Sequence, residues 1–164
     1  MSFATGENYP PIGQGLFNAM RLVLPKGGTV LELGSGDGST TELKGAGYTV
    51  YSIEHSPHYL HRWNTPEFTI HAPFDDTGFY DMNKVRAGIP KNYDILLIDG
   101  PDTENRVIRF YEHAIDSFNP KVHWFFDDWG SEMSIGIKAV AKKTERELLV
   151  FEDKIKQYAV LLPC

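Results

Sequence analysis

The sequence predicts an α/β domain built on a doubly wound, mostly parallel sheet of seven strands with a terminal antiparallel hairpin. Short apolar runs alternate with stretches of helical spacing along most of the chain. The last two apolar runs, Leu148 to Phe151 and Tyr158 to Leu162, are joined by a connection too short for a parallel crossover, so they are expected to pair antiparallel. A third observation locates the ligand. The run from Thr29 to Leu33 breaks into Gly34, Gly36 and Gly38 and then into Ser39, Thr40 and Thr41, which reads as a strand, a tight turn and a capped helix start. Open α/β sheets bind ligands outside the carboxyl ends of their strands, so the ligand is expected on this turn.

Taken in order, residues 1–11 are polar and end in Pro10-Pro11, a poor regular element and an expected flap over a site. Ile12 to Leu24 carries apolar residues at 12, 16, 20, 23 and 24, the spacing of an amphipathic helix, and stops at Pro25-Lys26-Gly27-Gly28. Tyr48 to Ile53 is the second strand, closed by Glu54. Ser56-Pro57 is expected to open a helix bearing Tyr59, Leu60 and Trp63, and Phe68 to His71 makes a short third strand. The fourth strand lies in Tyr93 to Pro101, with the continuous apolar run of a central parallel strand, and ends in Asp99-Gly100-Pro101. Val107, Tyr111, Ala114, Ile115 and Phe118 give a covering helix closed by Asn119-Pro120. Val122 to Phe126 is the fifth strand and ends in Asp127 and Asp128, after which Met133, Ile137, Val140 and Ala141 support a further helix.

Composition narrows the class. A chain of 164 residues with 41% apolar and 23% charged residues is an ordinary single globular domain, 1–164, with little room for a second module. No apolar run approaches a membrane span, no secretory signal is visible, and the one cysteine, Cys164, makes neither an intrachain disulfide nor a cysteine zinc site. A cytoplasmic setting is the expectation. The net charge of -6 weighs against nucleic-acid binding, and the lysines and arginine at 138–156 are interleaved with acids, as on a solvated face. His55, His58 and His61 lack a converging further group for a metal.

The ligand class follows from spacing. A dinucleotide fingerprint counted from Gly34 fails at Ser39, whereas G-x-G-x-G with Glu32 two residues ahead is intact. Glu54 falls 20 residues after Gly34, where an acid accepts hydrogen bonds from ribose hydroxyls. Both features suit an adenosine ligand; the alternatives are that these glycines only make a turn or cradle another nucleotide. Val-Leu-Glu-Leu-Gly-Ser-Gly-Asp-Gly-Ser followed by Val-Tyr-Ser-Ile-Glu-His-Ser resembles the first two cofactor motifs of class I S-adenosylmethionine-dependent methyltransferases, a Rossmann-like family. The resemblance runs over residues 12–162. It implies S-adenosylmethionine as cofactor, cradled by Glu32, Gly34, Ser35, Gly36 and Gly38, with Glu54 on the ribose, His55 at the adenine edge and Asp99 beside the methyl group. A leading-helix turn at Gly13, Gln14 and Gly15, and Asp75 or Asp76 after the third strand, are further candidates by the same resemblance.

The strand-end acids point to chemistry. Strands one, four and five lie side by side in such a sheet, so Asp99, Asp127 and Asp128 are expected to converge, and a hard cation such as magnesium would relieve their repulsion. Catechol-type O-methyltransferases carry an Asp after strand four and an Asp-Asn pair after strand five; Asp128 stands here in place of the Asn. Asp99 and Asp127 are accordingly the candidate catalytic residues. Ile98-Asp99-Gly100-Pro101 with Arg106 and Phe126-Asp127-Asp128 is also similar to polysaccharide O-methyltransferases, which implies an acidic sugar facing Arg106 or Arg109. Helix capping for the aspartates and a solvated helix face for the arginines are the plainer readings. The expected activity is methyl transfer to a hydroxyl of a small-molecule or saccharide acceptor, selected by loops at 1–11, 72–84, 100–106 and 128–134. A nitrogen acceptor, or cofactor binding without catalysis, are the alternatives.

Overall fold

A computed structural model describes residues 13–25, 27–103 and 105–164. Seven strands form one sheet: β1 Thr29–Leu33, β2 Thr49–Glu54, β3 Thr69–His71, β4 Ile95–Ile98, β5 His123–Phe126, β6 Leu148–Glu152 and β7 Gln157–Leu161. The helices are α1 Gln14–Val23, α2 Glu42–Gly45, α3 Met82–Gly88, α4 Arg106–His113 and α5 Ser131–Thr144. The sheet order is β3-β2-β1-β4-β5-β7-β6, with every pairing parallel except those of β7, which runs antiparallel to both neighbours. Here β7 inserts between β5 and β6, so the hairpin closes back onto the parallel sheet and β6 is left at the edge. The expected doubly wound sheet with one reversed strand is the observed one.

The period-two alternation of strand side chains divides the core in two. Leu31, Leu33, Leu96, Ile98, Trp124 and Phe126 face one side and pack under α3, α4 and α5 through Val85, Val107, Phe110, Ile137 and Val140. Val30, Val50, Ile95, Leu97 and Phe125 face the other and pack under Leu16 and Met20 of α1 and Leu43 next to Tyr48. Burial of both sheet faces explains why β4 is apolar at all four positions. Helices α4 and α5 approach closely because Gly136 lacks a Cβ, which would lie 2.9 Å from Val107 Cγ1.

Three expectations need correction. No helix follows Ser56-Pro57: residues 57–62 form successive turns. The local hydrogen-bonding groups are drawn elsewhere, with Asn64 donating to Val50 O and Ser52 Oγ of β2 and to Phe68 O, while Arg62 lies over the Trp63 ring at 4.6 Å. Conversely, the presumed loop at 72–84 contains the start of α3, capped by Asp81, whose carboxylate accepts from Asn83 N and Lys84 N. The covering helix expected as far as Phe118 stops at His113 and continues as a 3-10 turn, Ile115–Ser117. The expected flap at 1–11 lies outside the described residues. Among those described, no helix is long and apolar enough to cross a membrane.

Candidate active site

The parallel register delivers the site. Leu33 pairs with Ile53 on one side and Ile98 on the other, and Ile98 pairs with Phe126. The residues that follow these ends therefore share one rim. A cavity of about 320 Å³ opens there, within the range of small-ligand sites. Gly34, Ser35, Gly36 and Gly38 line it together with Glu54 and His55, and Asp99, Asp127 and Asp128 line its other end.

The glycine turn is held from below. Gly34 takes φ +86°, and a Cβ on it would stand 2.9 Å from Gly100 Cα, so this position admits only glycine where the ends of β1 and β4 touch. Gly36 N donates to Thr40 Oγ1 at 3.0 Å, and Thr40 Oγ1 donates in turn to Glu32, which also accepts from Ser52 Oγ at 2.6 Å. Glu32 is fully buried, and burial pushes its carboxyl up to about 7 against the lowering effect of these hydroxyls. Glu32 is therefore not on the cavity wall: it anchors the turn from below through Thr40.

Glu54 is 3% exposed and accepts from Ser35 N at 3.2 Å, Ser35 Oγ at 2.8 Å and Ser56 N at 2.7 Å, with His55 Nδ1 at 3.2 Å. His55 stacks on Phe74, ring centroids 4.0 Å apart, making an aromatic edge to the cavity. Gly13, Gln14 and Gly15 do not reach the cavity lining. Gly15 N donates instead to Asp153 Oδ2 at 3.0 Å, docking α1 on the hairpin turn, and Gln14 bonds Asn18. Asp75 and Asp76 are exposed and do not line the cavity; Asp75 Oδ1 accepts from Thr77 N at 2.8 Å to make a turn.

Among the cavity residues that the sequence reading does not place there, three bear most on its chemistry. Tyr80, supplied by the segment after β3, is 1% exposed and presents a hydroxyl with no partner; burial, then the charges of Glu54 and Asp99, push it well above the usual tyrosine range. Its signal was an aromatic residue inside the polar run at 72–82. Trp63 lines the cavity from the turns that replace the expected helix. Lys156, on the hairpin turn, donates to Asp127 Oδ2 at 2.5 Å and Asp128 Oδ1 at 3.2 Å. Continuing the β5–β7 register, Phe126 opposite Ala159, places that turn beside residues 127 and 128.

The acids are consequently paired within the chain. Arg106, buried at the start of α4, donates to Asp128 Oδ2, while Arg109 lies on the helix surface 3.8 Å from Glu112. Burial would raise Asp128, but Arg106 and Lys156 bring it below the ordinary carboxylate range. Burial raises Asp99 well above that range, the nearby charge of Asp127 adds to the rise, and Arg106 offsets part of it. The donor set does not fit magnesium: Lys156 and Arg106 occupy carboxylate oxygens that a hard cation needs, and among the described residues no three His, Cys, Asp or Glu side chains converge to hold a metal. The expected three-aspartate metal site is corrected to an ion-paired cluster. An adenosine-type cofactor fits better, since Ser39 Oγ, Tyr80 OH and Asp127 Oδ1 are buried on the cavity lining without partners.

A sheet with a cavity at the carboxyl ends of its parallel strands, bordered by a glycine turn and an acid closing the next strand, has the arrangement at which open α/β folds bind their ligands. No protein-family model matches the sequence, and no curated protein does. Solved structures share its fold. A TehB-like S-adenosylmethionine-dependent methyltransferase from Corynebacterium glutamicum matches with a TM-score of 0.58 at 16% identity, over 96% of this chain and 90% of that one. Magnesium protoporphyrin IX methyltransferase from Synechocystis PCC 6803, solved with S-adenosylmethionine bound, matches with a TM-score of 0.54 at 12% identity, over 90% and 76%. A precorrin 8W decarboxylase from Methanobacterium thermoautotrophicum matches with a TM-score of 0.57 at 16% identity, over 90% and 88%. The fold is that of the class I S-adenosylmethionine-dependent methyltransferases.

Proposed function

We propose that this chain is an S-adenosylmethionine-dependent methyltransferase that acts on a hydroxyl of a small-molecule or saccharide acceptor, without a metal ion. The observation that carries this reading is the position of Asp99. It follows β4, beside the contact between Gly34 and Gly100, on the same cavity wall as the glycine turn and Glu54. The turn residues Ser35 to Gly38 and the carboxylate of Glu54 are the groups that would hold the cofactor, with Ser39 and Tyr80 offering further hydrogen bonds. Bound there, S-adenosylmethionine supplies an electrophilic methyl group and leaves as the neutral thioether.

The chain's own residues then have separable tasks. Asp99, raised well above the ordinary carboxylate range by burial and by the charge of Asp127, is when ionised a stronger base than an ordinary aspartate, so it is suited to take the acceptor's hydroxyl proton. Asp127 and Asp128, fixed by Lys156 and Arg106, keep that wall charged and ordered. His55 lines one end, backed by the stacked Phe74 ring. The test is calorimetric titration with S-adenosylhomocysteine, followed by a turnover screen with catechols and uronic-acid sugars in the presence of a chelator. Binding with chelator-resistant release of S-adenosylhomocysteine is expected. Absence of binding would remove the reading, and binding without turnover across hydroxyl and amine acceptors would leave a cofactor-binding protein.

A further inference from the structure

The strand-end carboxylates pose an electrostatic problem that the chain solves with its own hairpin. Asp99 and Asp127 follow register partners on adjacent strands, Ile98 and Phe126, and Asp127 N donates to Ile98 O at 3.3 Å, so the two side chains leave the sheet next to each other. Asp128 follows at once. Three acids at one rim of a partly enclosed cavity repel strongly, because the screening of open water is reduced there. Glu32, Glu54 and Tyr80 add further anionic or polar groups from β1, β2 and the segment after β3.

The opposing charges arrive from two directions. Arg106 comes from α4 and takes Asp128 Oδ2. Lys156 comes from the turn between β6 and β7, which is itself built to hold it: the Asp153 carboxylate accepts from Ile155 N at 2.7 Å, Lys156 N at 3.1 Å, Tyr158 OH at 2.7 Å and Gly15 N at 3.0 Å. With its backbone fixed at this turn, Lys156 places Nζ between Asp127 Oδ2 and Asp128 Oδ1, and the Tyr158 ring flanks it at 5.5 Å. An ammonium carries three N–H donors and these two bonds use two of them. The position between two carboxylate oxygens of neighbouring residues is one where a small divalent cation would bind.

We infer that Lys156 is a built-in counter-cation: its tethered ammonium takes the place among Asp127 and Asp128 that a divalent metal would hold, and it makes this acid cluster closed to metals. It is a positioning residue, setting the charge and orientation of Asp127 next to Asp99. The inference deepens the proposed function, since it assigns the charge balance of that same wall. Its test needs neither cofactor nor acceptor, so it stands or fails separately from the methyltransferase reading.

The experiment is manganese binding to the full chain, followed by electron paramagnetic resonance of the free ion, for wild type, Lys156→Met and Lys156→Arg. Removing the ammonium leaves Asp127 without a cationic partner and Asp128 with Arg106 alone, so the pair gains affinity for a cation. Lys156→Met is expected to bind manganese at least about tenfold more tightly than wild type, and Lys156→Arg is expected to behave as wild type. A structural role alone would not create a metal site. If Lys156→Met does not fold, Lys156→Gln reads the same quantity, since it too removes the ammonium charge, and the same direction of change is expected. Tight manganese binding by wild type, or no gain in the folded variant, overturns the inference.

Discussion

Glu32 and Tyr80 are both buried polar side chains, and they carry opposite expectations. Glu32 ionises near 4.5 in the unfolded chain and only near 7 in the folded one, because burial outweighs the hydrogen bonds from Ser52 and Thr40. Between those values the folded state binds more protons, so stability falls as pH rises from about 4.5 to about 7 and is flat in this respect above that. The loss amounts to about 3 kcal/mol. Urea unfolding of Glu32→Gln compared with wild type at pH 5 and pH 8 is expected to show a smaller decline in the variant. Tyr80 is different, since its hydroxyl has no partner to lose. In Tyr80→Phe the thermal midpoint should hold or rise, while affinity for S-adenosylhomocysteine should fall about tenfold, the worth of one hydrogen bond in a buried site. A large loss of stability instead would mean that the hydroxyl serves the fold and not a ligand.

At the level of elements, the β1 turn separates two uses of glycine. Gly34 is left-handed and abuts the Gly100 backbone, so Gly34→Ala should cost about 3 kcal/mol or more, from backbone strain and an unavoidable clash. Gly36 is extended, with a Cβ position 3.6 Å from Ser39 Oγ, so Gly36→Ala should fold normally and lose cofactor affinity because its methyl faces the cavity. Thermal unfolding beside cofactor titration distinguishes the two. This turn, β1, β4 and the acid-ended strands were legible in the sequence because each signal is local: an apolar run, alternating glycines, a terminal acid. The segment after Ser56 was not, because its aromatic spacing suits a helix while its decisive contacts, those of Asn64, are to β2 and Phe68. Glu32 is prominent in the sequence as an acid two residues before the glycine turn, but its burial and its bonds to Thr40 and Ser52 depend on contacts across to β2 and the following helix start. Lys156 was read as part of a solvated charge run, and only the hairpin register brings it to Asp127.

Across the whole molecule, stability should be graded outward from the centre of the sheet. β1 and β4 have parallel partners on both sides and covering layers on both faces, whereas β6 is an edge strand with Leu149 and Val150 each 44% exposed. Hydrogen exchange should therefore be slowest at Leu31–Leu33 and Ile95–Ile98, and faster by about tenfold or more along the free edge of β6. Uniform protection across the sheet would contradict this gradation. The wedge position of β7 also orders events in time. A chain emerging from its N-terminus makes β5 long before the strand that seals its outer flank, and Asp127 before the lysine that answers it. Until residues 156–161 are available, the nascent sheet ends at an unpaired β5 bearing an acid rim that Arg106 alone answers. Synthesis arrested in that interval should yield a protease-sensitive product, and release of the last two strands completes both the sheet and the charge balance of its cavity in a single step.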